Sequence, residues 1–396
     1  MRLKGLSELQ LRGRRVLLRV DFNVPLSDGQ VTDDTRIRAA LPTIKALLDR
    51  QALVILLSHL GRPQGQVVAN LSLKPVGRRL SELLGRPVKL LPDCVGTQVE
   101  QTLSTLSPGQ VVLLENVRFH PGEEANEAGF ARQLARLADC YVDDAFGTAH
   151  RAHASTYGVA RLLPAAAGLL LQREVETLSR AVENPVRPFW AIIGGAKLSG
   201  KLSVLQYLLD KVDGFLIGGG VAFTLLRARG LAIGRSLLDE PALPQVQRTL
   251  EQAQERGKQM LLPVDLQVAP ALRAGSAAHV VPVEQIPPDQ MGLDIGPETI
   301  RLFEQRVKRA RTLLWAGPLG AFETPPFGEG SFAVARAIAS SPQTFAIIGG
   351  GDSAAAFHAA GLGETPNVYI STGGGATLAF IGGRKLLPLE ILRAES

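Results

Sequence analysis

Short apolar runs recur along this chain, and each stops abruptly at a polar or glycine-rich cluster. Before Pro188 the runs RVLLRV (15–20), ALVILL (52–57), VVLL (111–114) and the one opening at Cys140 end on Asp21–Phe22–Asn23, Ser58–His59, Glu115–Asn116 and Asp143–Asp144. After Pro188 the runs at 189–193, 214–217, 345–348 and 368–370 lead into Gly194–Gly195, Gly218–Gly219–Gly220, Gly349–Gly350–Gly351 and Gly373–Gly374–Gly375. Runs this short and this apolar read as strands buried on both faces. The segments between them carry helical periodicity, and alternation of strand and helix predicts parallel sheets covered by helices. Polar residues at the carboxyl ends of such strands are where an open α/β sheet binds ligands.

The chain has 396 residues, 45% apolar and only 5% aromatic, which suits two cores rich in Leu, Val, Ile and Ala. The expected class is α/β, with two Rossmann-like three-layer domains. One helix is expected from Ser72 to Leu84, with Ser72 as its cap, Pro75 in its first turn and Gly85 just beyond its end. Others are expected near 199–211, 242–256, 298–310 and 353–360. The stretch 169–182 predicts an amphipathic connecting helix, broken at Glu183–Asn184–Pro185–Val186–Arg187–Pro188. Domains are therefore expected over about 1–170 and about 189–382, with 171–188 as connecting helix and hinge.

The formal charge of +6 fits an electropositive cleft for small anions. Nucleic acid is not expected, because no Lys/Arg tract or interleaved aromatic stripe occurs. Cys94 and Cys140 lack CxxC spacing and read as reduced core thiols. No apolar run of spanning length is present, so no membrane association is expected, and a monomeric cytoplasmic protein is.

The two halves carry different polar equipment. The first has Arg36, His59–Leu60–Gly61–Arg62, Arg118–Phe119–His120 and His150–Arg151–Ala152–His153. Arginine forks grip phosphate and carboxylate. The second half has glycine clusters where a strand meets a helix, which let backbone amides approach a nucleotide phosphate. The stretch GAKLSGK (195–201) matches GxxxxGK, but Leu202 stands where a P-loop needs Ser or Thr. A second reading places Lys197 and Lys201 one helical turn apart, pointing the same way at phosphates. IIGGGDSA (347–354) has part of a dinucleotide fingerprint, yet the next strand ends on Ser371 rather than an acid. Asp352 reads either as a helix N-cap or as a ligand for nucleotide-bound magnesium. His150 and His153, near Asp143 and Asp144, read as a loose metal cluster or a satisfied polar core, with Arg151 between them favouring an anion. No catalytic cysteine or serine elbow appears. Phosphoryl transfer to a carboxylate acceptor needs no general base.

Taken in order, RVDFNVPL (19–26), DDTRIR (33–38), SHLGRP (58–63), LENVRF (114–119), DAFGTAHRAHA (144–154), GGAK (194–197), MGLDIGP (291–297), WAGP (315–318), GGGDS (349–353) and STGGG (371–375) resemble phosphoglycerate kinase. The likeness covers essentially the whole chain. It implies reversible phosphoryl transfer between 1,3-bisphosphoglycerate and ADP, giving 3-phosphoglycerate and MgATP, with hinged closure of the two domains. It also implies that the final residues, about 383–396, return to the first domain. By this resemblance Asp21, Phe22 and Asn23 hold the glycerate, while His59, Leu60, Gly61, Arg62, Arg118 and Arg151 grip it and its fixed phosphate. Arg36 neutralises the moving group, Lys197 approaches it, and Gly373 and Gly374 offer amides to the transition state. Lys201, Gly350, Gly351 and Ser353 would hold nucleotide phosphate, Asp352 magnesium, Glu323 ribose, and Gly195, Gly218, Gly292 and Pro318 would lie near the nucleoside. The sequence departs from the family pattern at Gly200, Ala316, Leu319, Ala321, Ala379, Gly382 and Leu389. A paralogue that binds phosphoglycerate without turnover is the alternative these departures raise.

Overall fold

A computed structural model describes residues 1–198 and 200–394. The chain forms two compact units, Met1–Thr177 with Lys385–Ser396, and Leu178–Arg384. The division falls inside the helix Leu169–Glu183. In the first unit the C-terminal segment returns to the N-terminus, where Lys4 N donates to Leu392 O at 2.7 Å.

The first unit is built on the strands β1 (Arg15–Arg19), β2 (Leu26–Ser27), β3 (Gln30–Val31), β4 (Leu53–Leu57), β5 (Lys89–Leu90), β6 (Val111–Leu113), β7 (Cys140–Asp143) and β8 (Ala165–Ala167). Six of them form one sheet in the order β5-β6-β4-β1-β7-β8, and every pairing in it is parallel. Successive residues face opposite layers: Val16, Leu18, Val54 and Leu56 enter one core, and Leu17, Leu53, Ile55 and Leu57 the other. A strand buried on both faces has to be apolar throughout, which is why LVILL over 53–57 shows no alternation. Each such Leu or Ile contributes about 1.5–3 kcal/mol by leaving water. The remaining pair, β2 and β3, is a hairpin whose turn residues Asp28 and Gly29 both take positive φ, 50° and 71°.

The second unit holds β9 (Phe189–Ile193), β10 (Gly214–Ile217), β11 (Gln259–Leu261), β12 (Asp265–Ala269), β13 (His279–Pro282), β14 (Met291–Ile295), β15 (Thr312–Ala316), β16 (Phe345–Gly349) and β17 (Val368–Ile370). Its main sheet runs β11-β10-β9-β15-β16-β17 and is again parallel throughout. One face packs Trp190, Ile192, Leu216, Leu313, Trp315 and Ile348; Ala191, Ile193, Phe215 and Leu314 on the other are buried too. A separate three-stranded antiparallel sheet, β13-β12-β14, stands beside it. The sequence pattern had pointed only to parallel pairing.

Strand order reverses around β1 in one sheet and β9 in the other: the chain first builds outward on one side, through β4 or β10, and later returns to the other side at β7 or β15. A crevice opens at the carboxyl end of a sheet at such a switch point. The residues after β1, β4, β7, β9, β10 and β15 therefore lie where ligands enter.

Three local expectations change. The helix expected from Ser72 starts at Lys74, with Leu73 at its cap position, because Ser72 Oγ donates to Glu115 Oε2 at 2.7 Å. Its far end is as read, closed by Gly85 at φ 65°. The helix near 199–211 is Leu202–Leu208; Ser199 lies outside the described residues. Asp352 is not an N-cap, because Gly350 occupies that position.

Candidate active site

In the first unit Arg36 lies in the first turn of the helix Thr35–Asp49. Asp33 Oδ1 fixes the start of that helix by accepting from Thr35 N at 2.9 Å. From there Arg36 Nη1 donates to Asp21 Oδ2 at 3.0 Å and to Asn23 O at 3.2 Å, both on the loop after β1. Asn23 Oδ1 accepts from Gly61 N at 2.8 Å, and Gly61 O accepts from Arg118 Nη1 at 2.7 Å. Asn116 clasps the same loop, accepting from Leu60 N at 3.2 Å and donating to Leu60 O at 2.7 Å. The loops after β1, β4 and β6 are thus tied by side-chain bonds, and the backbone around Gly61 is fixed at φ 62°.

His59 is buried at the carboxyl end of β4. Burial, and then the charges of Arg19, Arg118, Arg36 and Arg151, hold its pKa well below the usual histidine value, so the ring is neutral at pH 7. Arg36, Arg118 and Arg151 thus lie near enough to His59 for their charges to act on its ring. Burial pulls Arg118 down to about 10, and Glu124 opposes that from 3.3 Å. Arg62 is exposed and no bond joins it to the cluster. Phe22 is buried, with its N–H given to Ser58 Oγ at 2.9 Å, so its side chain is packing rather than surface. Two hollows open nearby. One of about 560 Å³ touches Asn23, Leu60 and Gly61 and runs toward Pro75 and Arg78. One of about 690 Å³ contains Arg79, already paired with Asp34 at 2.7 Å, and none of the cations around His59.

His150 and His153 do not gather with Asp143 and Asp144 as a metal cluster. His150 Nε2 accepts from Arg151 Nε at 3.1 Å, and His153 Nδ1 faces Glu123 at 3.7 Å. Asp144 Oδ1 instead accepts from Leu170 N and Leu171 N at 2.9 and 3.1 Å, capping the helix Leu169–Glu183. Among the described residues the donors close enough for a metal are Asp93, Cys94 and His120, and His120 Nε2 is already bonded to Asp93 at 2.7 Å.

In the second unit the glycine turns interlock. Gly195 N donates to Pro318 O at 2.7 Å, Gly218 N to Ile193 O at 3.0 Å, and Gly219 N to Leu319 O at 2.8 Å. Ser353 Oγ accepts from Gly317 N at 2.6 Å and donates to Gly349 O at 2.8 Å, joining the loop after β15 to the one after β16. A Cβ at Gly194 would collide with the Pro318 carbonyl, which explains glycine there. The turns frame a cavity of about 370 Å³. Gly195, Gly292, Pro318, Glu323 and Asp352 line it, together with the apolar Phe223, Leu237 and Leu293. No role was read for these last three from the sequence, Leu293 appearing only inside the motif MGLDIGP, because an apolar pocket wall reads like ordinary core.

Lys201 is half-buried, and a Cβ on Gly195 would run into its Nζ. Burial lowers its pKa while Asp352 opposes the shift. The helical-turn relation between Lys197 and Lys201 does not hold, since the helix begins at Leu202 and Lys201 is its N-cap. Lys197 is exposed on the preceding loop. Gly350 and Gly351 open the helix Gly351–Ala359, and Gly373 and Gly374 precede the helix Gly375–Ile381. Gly373 N donates to Ser371 Oγ at 3.2 Å, and Ser371 Oγ pairs with Thr377 Oγ1 at 2.6 Å.

The family model for phosphoglycerate kinase matches residues 6–384. The chain belongs to the phosphoglycerate kinase family. It is 56% identical over 381 residues to the phosphoglycerate kinase of Moorella thermoacetica, covering 96% of each chain. It is 51% identical to that of Dictyoglomus turgidum, covering 98% of each. Among solved structures, phosphoglycerate kinase from Coxiella burnetii superposes with a TM-score of 0.89 at 42% identity, covering 99% of each chain. The enzyme from Pyrococcus horikoshii gives 0.86 at 32% identity, covering 98% of each. The chain is accordingly a glycolytic phosphotransferase that acts on phosphoglycerate. Membership of this family also accounts for the site's chemistry: arginines without a general base suit transfer between an acyl phosphate and a nucleotide.

Proposed function

We propose that the first unit holds the phosphoglycerate and the second the nucleotide. A phosphoryl group then passes between 1,3-bisphosphoglycerate and ADP to give 3-phosphoglycerate and ATP. The observation that carries this reading is the chain of bonds from Arg36 through Asn23 and Gly61 to Arg118, on the loops beside a neutral His59 whose ring also feels the charge of Arg151. Fixed cations suit a ligand whose fixed phosphate and carboxylate both stay ionised. Arg62, on the same loop, would close over the phosphate. Asp21 and Asn23 take the glycerate and also aim Arg36, whose charge offsets what develops on the moving group.

On the nucleotide side, Phe223, Leu237 and Leu293 would cover the base, with Gly195, Gly292 and Pro318 lining the cavity nearby and Glu323 on the ribose. Gly218, tied by its N–H to Ile193 O, stands just behind Gly219, which does line it. Lys201, with the amides of Gly350, Gly351 and Ser353, would hold phosphates, while Lys197 follows the transferred group and Gly373 and Gly374 donate amides to it. The Asp352 carboxylate borders the cavity beside Lys201, a donor set that fits a nucleotide-bound Mg²⁺. When bound, the ion would neutralise charge on the phosphate oxygens. Donor and acceptor must meet in line for transfer, a demand of the chemistry itself. We further propose a cytoplasmic monomer whose partners are small molecules, with neither nucleic acid nor membrane among them. No helix among the described residues is long and apolar enough to cross a membrane.

The test is a coupled assay on pure protein, with calorimetry of each ligand. Turnover with magnesium nucleotide and 3-phosphoglycerate is expected. Tight glycerate binding without turnover would instead establish the non-catalytic reading that Gly200 and Ala316 raise.

A further inference from the structure

Arg19 ends β1 directly after the apolar Val16, Leu17 and Leu18, and its whole side chain is out of water. A buried guanidinium needs both hydrogen-bond partners and a counter-charge. Arg19 Nε donates to Ser155 Oγ at 2.9 Å, and Nη1 donates to Val20 O. Ser155 passes the link on: its Oγ donates to Glu123 Oε1 at 2.6 Å, and its N–H to Glu123 Oε2 at 2.9 Å. Glu123 is fully buried; burial pushes its carboxyl up, but the neighbouring His153, 3.7 Å away, and then the charge of Arg19 and the Ser155 hydroxyl hold it below the ordinary value. The counter-ion of Arg19 is therefore held one hydroxyl away, in the interior.

The last donor matters for chemistry. Arg19 Nη2 lies 3.1 Å from His59 Nδ1. A guanidinium has no acceptor, so the ring nitrogen must accept. That places the ring proton on Nε2.

We infer that Arg19 is a positioning residue which, through Ser155 and Glu123 behind it, fixes His59 as a neutral Nε2–H donor for the anionic glycerate. Charge and direction are then divided between residues. Arg36, Arg118 and Arg151 supply the positive field. His59 supplies a single oriented N–H, because neither its tautomer nor its charge is free to change. A protonated His59 would offer Nδ1–H to a guanidinium, a donor facing a donor. The inference rests on the assignment of His59 to the glycerate site.

The test is long-range ¹H–¹⁵N correlation on the full chain labelled with ¹⁵N, titrated across about pH 5 to 8. The groups facing His59 are Arg19, Asp21 (3.9 Å from Nδ1), Arg36, Arg118 and Arg151. In the native protein His59 is expected to show Nδ1 bare, Nε2 protonated, and no titration in this range. Arg19→Met is expected to release the ring into a tautomer mixture with a rising pKa. It should also raise KM for 3-phosphoglycerate about tenfold while leaving KM for nucleotide unchanged; Arg19→Lys should restore part of both. A native spectrum with the proton on Nδ1, or an imidazolium at pH 7, overturns the inference whether or not Arg19→Met folds. So does an Arg19→Met ring indistinguishable from native. If the native tautomer is as expected but adding 3-phosphoglycerate leaves the His59 signals unmoved, the glycerate assignment fails and the Arg19 link stands.

Discussion

Arg36 and Asp352 carry the sharpest predictions at the scale of single residues. Asp21 and the Asn23 carbonyl aim Arg36 at 3.0 and 3.2 Å, so alanine there removes charge from the reacting group without touching the nucleotide cavity. Arg36→Ala should lower kcat about a hundredfold or more while the calorimetric Kd for nucleotide stays within error. Full turnover in that variant would move the charge-stabilising role elsewhere. Asp352→Ala should raise the magnesium needed for half-maximal rate and leave glycerate binding as it was; an unchanged magnesium titration would remove Asp352 from the metal. These residues were legible because short polar clusters after apolar runs are conspicuous. Arg19 was not singled out, although an arginine inside a buried strand was itself a signal. Asn116 stood out only as part of a polar cluster and Glu123 not at all, since the partners that give them their roles, Leu60 and Ser155, lie far away in sequence.

At the scale of elements, the loops do the positioning and the strands hold them. Gly350 sits at φ 96°, open only to glycine at low cost, and nothing crowds a Cβ there except Ser353 Oγ at 3.7 Å. Gly350→Ala should therefore cost about 1–2 kcal/mol of backbone strain, read as a lower denaturant midpoint, and weaken nucleotide binding. Ser353→Ala strands the Gly317 amide and should cost about 1–3 kcal/mol, with KM for nucleotide rising more than KM for glycerate. Equal rises would show that the bond is merely structural. The parallel strands were legible because burial on both faces forces an unbroken apolar run. The pair Lys197 and Lys201 was misjudged because Gly200 resists helix, so the turn that would align them begins only at Leu202. The antiparallel strands β12–β14 were missed because DLQVA, HVVP and MGLDI are short, interrupted by Gly292 and Pro282, and specified by each other rather than locally.

At the scale of the whole molecule, buried acids set the pH response. Burial raises Asp143 to about 6, and Asp144 and Asp294 to about 7. A raised carboxyl binds its proton more tightly when folded, so its stabilisation is complete below the unfolded value and disappears as pH climbs through about 6 to 7. Asp34, Asp93 and Asp139 are lowered, so their contribution is present above the unfolded value and lost as pH falls below it. Neutral His59 opposes the raised acids, since the unfolded ring takes up a proton below about 6.5 that the folded one refuses. With three raised acids against one histidine, stability should peak on the acid side of neutrality, at about pH 4–6, and fall toward pH 8. Urea midpoints across pH would check this; a maximum above pH 7 would refute it. Asp143→Asn should flatten the descending limb.

The sequence by itself determined the α/β class, the parallel strands and the residue types at their carboxyl ends, because a strand buried on both faces and a glycine turn at a phosphate each leave few alternatives. Only the tertiary structure decided that Arg36, Arg118 and Arg151 share one neutral histidine, that Phe223 and Leu293 wall a pocket rather than fill a core, and which nitrogen of His59 carries its proton. Those outcomes depend on distances between residues remote in the chain, and no local pattern encodes such distances.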